Sequence, residues 1–587
     1  MTVQGSTSSG QPRVQAIQLQ VERTLASSQF VRSARMCRFL RFVVARALAK
    51  DTASLKEYSI GVEVFDRPES FDPTMDPIVR VEARRLRTKL CKYYESEGRH
   101  DEIVIELPKG GYMPKFRTRD ASAEAPKAVA GGRGIAVLPF QTLSLGEEVA
   151  YFGDGLTWEL IHHLTRIPDL RVVAWNSASQ IRGEQQDLAA VREKLKVDSI
   201  LTGSVRLAQE KLRVVLQIID TATGSYLWSE TFDGSTSDIF SIQERIAEAI
   251  VRKLSPQPGR AASGHITRYC PDAYRTYLRA RFEANQRTEA ALRQSLEDFR
   301  EAVRLDPEFA LAYAGMADAC SLLADYGHEP PEQIVPQARA AALRALELDA
   351  TLAEAHCSLG YISVCEWKWD ESEVHYLRAL DLNPGYATAH HWYAVDYLVY
   401  LARFEEAHEE LEIARQLDPL SPIICEGQCM TYMLQGNYDE AVSRYRRLLQ
   451  AEPSFYKART GLGRALVQLG RYADALEQLE MARQLVGDIP SLLGLMGQAY
   501  ALLGRTGKAR ELLACLSELA RTRRVFASCY AMIHLGLGES AQALDRLEEG
   551  AAKRDLPLAA LKVHPAYDTL RADPRFTALL VRVGLQK

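Results

Sequence analysis

The second half of the chain repeats itself. Five turn-forming pairs, Asp306-Pro307, Asp349-Ala350, Asn383-Pro384, Asp418-Pro419 and Glu452-Pro453, recur along it, the last four at intervals of 34 or 35 residues. The first interval is 43 residues and carries the Pro-rich insertion YGHEPPEQ. A period of this length is that of stacked helix pairs, in which no pair can bury its apolar face alone and each completes its core with the next. The residues inside the period fit this. Tyr432, Ala441, Tyr445 and Pro453 form one set, Leu359, Gly360, Tyr376, Ala379 and Pro384 another, and Gly463, Ala475 and Ala482 a third. Small residues let two helices approach, aromatic rings fill the space between pairs, and proline closes the second helix because a helix does not easily continue through it.

These positions resemble tetratricopeptide repeats. About seven repeats are expected over 272–550, the first and last degenerate, forming an all-α solenoid. HPAYDTLRADPRFTALLVRVGL, within 551–587, reads as capping helices. The resemblance implies a concave groove that binds a protein or peptide. By repeat register Tyr361, Trp392, Asp396, Tyr400, Met430 and Arg464 line that side, and aromatic and Met side chains suit a partner peptide. The alternative is that they only pack adjacent repeats. The Lys and Asn set with which chaperone-binding members hold a peptide's C-terminal carboxylate is missing: Cys357, Trp392, Glu426 and Thr460 stand at one such position.

Two small-residue stretches, within 118–133 and 255–271, read as linkers and delimit a middle region, 134–254. GIAVLPF is a buried-strand pattern, GLTWELIHHLTRI has helical spacing, and three further strands follow, the last two joined by TATG. In KLRVVLQIID, Leu212, Val214, Leu216 and Ile218 alternate with polar neighbours, as a half-buried strand requires. In order, IAVLPF, YFGDGLTWELIHHL, VDSILTGSVRL and VVLQIIDTATGSYLWSETFD resemble the TolB N-terminal-like domain. That resemblance implies an α/β unit with no catalytic residues and names no ligand.

The start of the chain is the basic part. Residues 1–120 hold 21 Lys/Arg against 15 Asp/Glu, whereas the remainder is net acidic. Residues 1–32 read as a flexible N-terminus and 33–117 as a folded α+β unit. Met36, Phe39, Leu40, Val43 and Val44 make one apolar helix face. Asp76-Pro77 signals a helix start, and Val79, Ala83, Leu86, Leu90 and Tyr93 then recur as a buried stripe. Arg80, Arg84 and Arg87 lie off that stripe, with Arg85 and Lys89 beside them. A hairpin follows with Lys109 at its tip. Three helices, the third basic, and then a hairpin are the order of a winged helix. Leu86-Arg87-Thr88-Lys89-Leu90 and Gly111-Tyr112 resemble the DNA-binding effector domain of OmpR/ToxR-type regulators. The resemblance implies double-stranded DNA as partner. Arg80, Arg84 and Arg87 are then the base readers, Arg85 and Lys89 hold phosphate, and Lys109 reaches the neighbouring backbone or minor groove. A homodimer suits such readers, since paired half-sites are common, but no sequence feature specifies one.

Other chemistry finds little support. GRTGK at 504–508 lacks phosphate-loop spacing, and His162-His163 and His390-His391 are adjacent on helices and so poor metal pairs. No metal site, cofactor or catalytic constellation is expected. The longest uncharged apolar stretch, 489–504, is shorter than the ~20 residues that span a bilayer, and the N-terminus lacks a signal-peptide core, which makes a cytoplasmic protein the simplest reading. The chain therefore reads as a bacterial-type DNA-binding transcriptional regulator whose later domains bind a protein or small-molecule signal. The alternative is a scaffold in which every module binds protein.

Overall fold

The computed structural model describes residues 14–119, 134–142, 147–165, 167, 170–181, 187–208, 211–235, 239–254 and 270–586. The expected linkers lie largely outside these residues, as does the chain before residue 14. The molecule divides into two compact units, Met1–Gly132 and Arg133–Lys587.

In the first unit, helices α1 (Val14–Ala26), α2 (Ala34–Leu48), α3 (Glu57–Phe65) and α4 (Ile78–Glu95) precede strands β1 (Ile103–Glu106) and β2 (Lys115–Thr118), which pair antiparallel. The stripe Val79, Ala83, Leu86, Leu90 and Tyr93 is buried along its length, and α2 and α3, which pack on α4, bury Phe39, Val43, Ile60 and Val64. Asp76 accepts from the Ile78 backbone N–H at 3.0 Å, so the helix starts one residue later than the Asp-Pro pair suggests. The N-terminal segment is not flexible throughout. From Val14 it forms α1, whose Ile17, Val21 and Leu25 are buried. Buried Asp101 anchors it, accepting from Gln20 Nε2 at 2.6 Å and from the Arg23 guanidinium at 2.9 Å. Polar residues between the apolar positions of α1 hide this helix from a reading by composition.

The second unit opens with a mixed sheet. Its strands are β3 (Gly134–Val137), β4 (Gln141–Thr142), β5 (Arg171–Val172), β6 (Ser199–Ala208), β7 (Lys211–Asp220) and β8 (Tyr226–Ser235), in the order β5-β3-β6-β7-β8 with β4 beside β6. Pairing is parallel for β5-β3-β6 and antiparallel for β6-β7-β8. Ile135 and Val137 point to one face and Ala136 and Leu138 to the other, each into its own apolar cluster. Helices α5 (Glu147–Leu164), α6 (Trp175–Ala178), α7 (Leu188–Leu195) and α8 (Ile239–Leu254) complete the domain.

Eight helix pairs then stack from Pro271 to Ala552, against about seven expected from the sequence. The later pairs end without an Asp-Pro signal, at Gly487 and around Ala520. The first five pairs end on the turn residues read from the sequence: Asp306, Asp349, Asn383, Asp418 and Glu452 each sit at the C-cap of a second helix. Side-chain oxygens of Asp306, Asp349 and Asn383 accept from the backbone N–H two residues on, which fixes the turn. The fourth pair departs from ideal geometry. Its first helix, Ala387–Trp392, continues as a π-helix over Tyr393–Leu398, with Val399 N–H bonded to Ala394 C=O at 2.9 Å.

The mixed sheet domain is docked on the solenoid. Asp418 accepts from Ser177 Oγ and from Asn176, Ala174 N–H donates to Leu417 C=O, and His162 Nδ1 lies 3.1 Å from Glu354. The tail expected as capping helices packs on the last pair, where Arg575 meets Glu548 at 2.8 Å, and also returns to the middle of the array. Trp369 Nε1 donates to Val583 C=O at 2.7 Å, and Lys562 reaches Leu401 C=O. No helix among the described residues is long and apolar enough to cross a membrane.

Close approach between pairs yields a test. A methyl added at Gly461 collides with the Tyr445 ring, which is completely buried and tethered through its hydroxyl to Glu426. Alanine normally favours a helix over glycine by about 1 kcal/mol. Overpacking costs about 1–3 kcal/mol. Gly461→Ala is therefore expected to lower the midpoint of helical melting by a few degrees, and an unchanged or raised midpoint contradicts this packing.

Candidate functional site

Two surfaces concentrate the residues singled out by sequence, one in each unit. On α4 the solvent-facing stripe is Arg84, Thr88, Cys91, Lys92 and Glu95. Of the three expected base readers, Arg84 is exposed and Arg80 and Arg87 are half-buried. Arg87 turns to the hairpin. Its Nε donates to Leu107 C=O at 3.0 Å, and a terminal nitrogen donates to Pro108 C=O and Gly111 C=O, each at 3.0 Å. Arg80 donates to Glu57 and to Pro73 C=O, each at 2.7 Å, and Glu57 in turn accepts from the Tyr112 hydroxyl at 2.7 Å. These two arginines join the root of the hairpin to α3 and α4. The expected phosphate contacts are also held by protein. Arg85 pairs with buried Glu82 at 2.5 Å, and Lys89 is buried with its ammonium on Gln29 C=O at 3.0 Å. Lys109 is exposed at the hairpin tip, where positive-φ Gly110 makes the turn. Spacing alone separates the buried stripe from the rest, but cannot tell an arginine aimed outward from one that folds back on carbonyls.

The second surface is a cavity of about 130 Å³ in the solenoid. Tyr361, Trp392, Asp396, Tyr400 and Met430 all line it, brought there by the first helices of successive pairs. Tyr361 and Trp392 lie with ring centroids 5.5 Å apart. Arg464, the sixth residue expected in the groove, lies outside this lining, where its charge acts on Glu426 and on His564 of the tail.

Sequence reasoning placed Asp396 and Glu426 in the groove but missed the other charged residues of the lining, Arg287, Asp325 and Lys457. Lys457 comes from a pair far along the array, so only the superhelical curl brings it in. Its ammonium sits 3.9 Å over the Tyr326 ring and 3.7 Å from Asp325. Arg287 donates to the Tyr326 hydroxyl at 3.3 Å, and Glu426 accepts from Tyr445 at 3.2 Å. Burial, with Asp325 adding to it, raises the Asp396 carboxyl well above its usual range, and Lys457 only partly offsets this. Burial, helped by Arg287 and Lys457, presses His391 down to about 3, so this imidazole is neutral at physiological pH.

Leu322, Trp392 and Arg287 also line a second cavity, of about 120 Å³, where α5 meets the solenoid. There the Arg281 guanidinium lies 4.8 Å from the Trp158 ring centroid and 3.5 Å from Asp318. Burial lifts Asp318 to about 6 against the opposing pull of Arg281. The paired histidines are structural. His162 meets Glu354, and His390 lies between Glu410 at 2.6 Å and Pro384 C=O at 2.9 Å. Among the described residues no group of three His, Cys, Asp or Glu is placed to hold a metal ion, and GRTGK forms a repeat turn with positive-φ Gly504.

Comparison with known proteins matches these parts separately. Residues 132–249 match the second domain of HilA/YgeH-like transcriptional regulators. Residues 432–491, 490–514 and 525–549 match tetratricopeptide repeats. The chain is 29% identical over 293 residues to a Rhizobium meliloti (strain 1021) protein designated adenylate cyclase 3, covering 48% of this chain and 49% of that one. It is 26% identical over 329 residues to the transcriptional regulator HilA of Salmonella typhimurium, covering 55% of this chain and 57% of that one. The chain thus spans about half the length of the curated relatives it matches. Among solved structures, a tetratricopeptide repeat protein from Parabacteroides merdae is 14% identical, with a TM-score of 0.34, covering 46% of this chain and 100% of that one. The later helix pairs, over 432–549, are tetratricopeptide repeats.

Proposed function

We propose that the chain is a DNA-binding transcriptional regulator: a winged helix at 33–117 holds double-stranded DNA, and a TolB N-terminal-like unit with the repeats receives the signal. The observation that carries this reading is the clamp between α4 and the hairpin. Arg87 on three backbone carbonyls, and Arg80 through Glu57 to Tyr112, make helix and hairpin one rigid reader. A helix presented in this way fits the major groove, and an exposed arginine on it can reach guanine edges. This revises the assignment of roles. Arg84 is the base-reading candidate and Lys109 the backbone contact, while Arg80, Arg85, Arg87 and Lys89 position the reader. The match of residues 132–249 to a domain of transcriptional regulators supports the same conclusion. A homodimer on paired half-sites is compatible with it.

The test is duplex binding by the full chain from about 50 to about 200 mM salt, with its own upstream region as probe. A steep negative log–log slope is expected; Lys109→Ala should reduce it by about one, and Arg84→Ala should weaken binding by about 1–3 kcal/mol and relax sequence preference. Arg87→Met leaves part-buried carbonyls unpaired, at up to about 1–3 kcal/mol. It is expected to weaken duplex binding together with thermal stability, and not through the salt slope. Absent binding to any duplex, or an unchanged slope in Lys109→Ala together with unchanged sequence preference in Arg84→Ala, overturns the proposal. A second reading, a protein-binding scaffold, is favoured by the aromatic groove around Trp392. It predicts peptide capture that is lost in Trp392→Ala and no response to DNA.

A further inference from the structure

We propose that the cavity beneath Trp392 binds the head of an organic cation, a guanidinium or primary ammonium on a short alkyl stem, with Asp396 as counter-ion and Tyr361, Trp392 and Tyr400 as walls. The inference rests on the reading of the repeats as the signal-receiving part and is independent of DNA binding.

Three carboxylates and two cations line the cavity. Both cations are engaged, Lys457 on Asp325 and Tyr326, and Arg287 on the Tyr326 hydroxyl. Asp325 has Lys457, and Glu426 has the Tyr445 hydroxyl. Asp396 has neither a hydrogen bond nor an ion pair among the described residues, although it faces the cavity from the π-helical segment. Two further groups in the lining are unsatisfied. Ser321 Oγ and the Tyr361 hydroxyl are buried, at 1% and 3% exposure, without a hydrogen-bond partner of good geometry, and only the weak Cys365 thiol lies beside Tyr361. Buried polar groups are otherwise nearly always paired. All three accept hydrogen bonds, and an ammonium or guanidinium offers only donors. The aromatic walls add cation–π attraction. An anion would meet an excess of carboxylates.

Asp396 shares the cavity with Asp325, Glu426, Lys457, Arg287, neutral His391, Tyr361 and Tyr400. Its carboxyl is raised by burial and by Asp325. A bound cation favours the ionised form, so binding releases a proton and tightens as pH rises.

The experiment is calorimetric titration of the full chain with agmatine and, separately, with an end-capped Gly-Arg-Gly peptide, using N-acetylglycine as the anionic control. Agmatine binding marks a free amine as the source of the cation, and binding of the peptide alone marks an arginine side chain of a partner. Either supports the site if binding is one to one, tighter at pH 8 than at pH 5, and at least tenfold weaker in Asp396→Asn. Because the amide removes the cost of ionising a buried carboxyl, Asp396→Asn is expected to melt no lower than the parent at pH 8. Ser321→Ala, with weaker binding of both probes, gives a second check should that variant misfold. No heat with either cation, equal binding in Asp396→Asn, or equal binding of N-acetylglycine overturns the proposal. Lost cation binding alongside an intact salt-dependent DNA response refutes this site without touching the regulator reading.

Discussion

No helix pair in the second half of this chain buries its own core. Each has one apolar face that stays wet until the next pair covers it, and the cover fits only where backbones approach closely. Gly461 under the Tyr445 ring and Gly315 under Phe299 show how narrow the tolerance is. The rest of the second unit depends on this stacking. It sets the curl that carries Lys457 back to Asp325, and it offers the ledge at Asp418 on which the mixed sheet domain is docked. The cavity at Trp392 is a product of that curl and of no single repeat.

Much of this was legible from the residues, for reasons that can be named. The turn residues at the ends of the first five pairs act locally, through a side-chain oxygen and a backbone N–H two residues away, so sequence alone locates them. The alternation in β7 is as local, and its burial follows the pattern residue by residue. Five of six groove residues meet at one cavity because repeat register converts position directly into direction. Long-range pairings were not legible. Nothing near Lys457 in sequence points to Asp325, and α1 is ordered by Asp101, some eighty positions on. The mixed sheet domain covering part of the groove belongs to the same class, since Thr165 and Asn383 are far apart in sequence.

The basic helix teaches a narrower lesson. A row of arginines off a buried stripe reads as a surface. In the structure the row divides: Arg80 and Arg87 spend their donors on Glu57 and on hairpin carbonyls, and Arg84 is left facing solvent. Guanidinium has five donors in a fixed fork, which suits backbone carbonyls as well as it suits a base edge. The sequence pattern is the same in both cases, and what separates them is the position of the hairpin.

The return of the tail to Trp369 changes how the array comes apart. A simple stack of repeats frays from its ends, one pair at a time, because each contacts only its neighbours. Here the last helix is hydrogen-bonded to the third pair through Val583, and Lys562 touches the fourth. The C-terminal pairs cannot peel away without first breaking contacts in the middle, so that end of the one-dimensional array is held by a clasp. Its local opening energies are thereby evened out, and the clasp, not the outermost repeat, sets the order of unfolding.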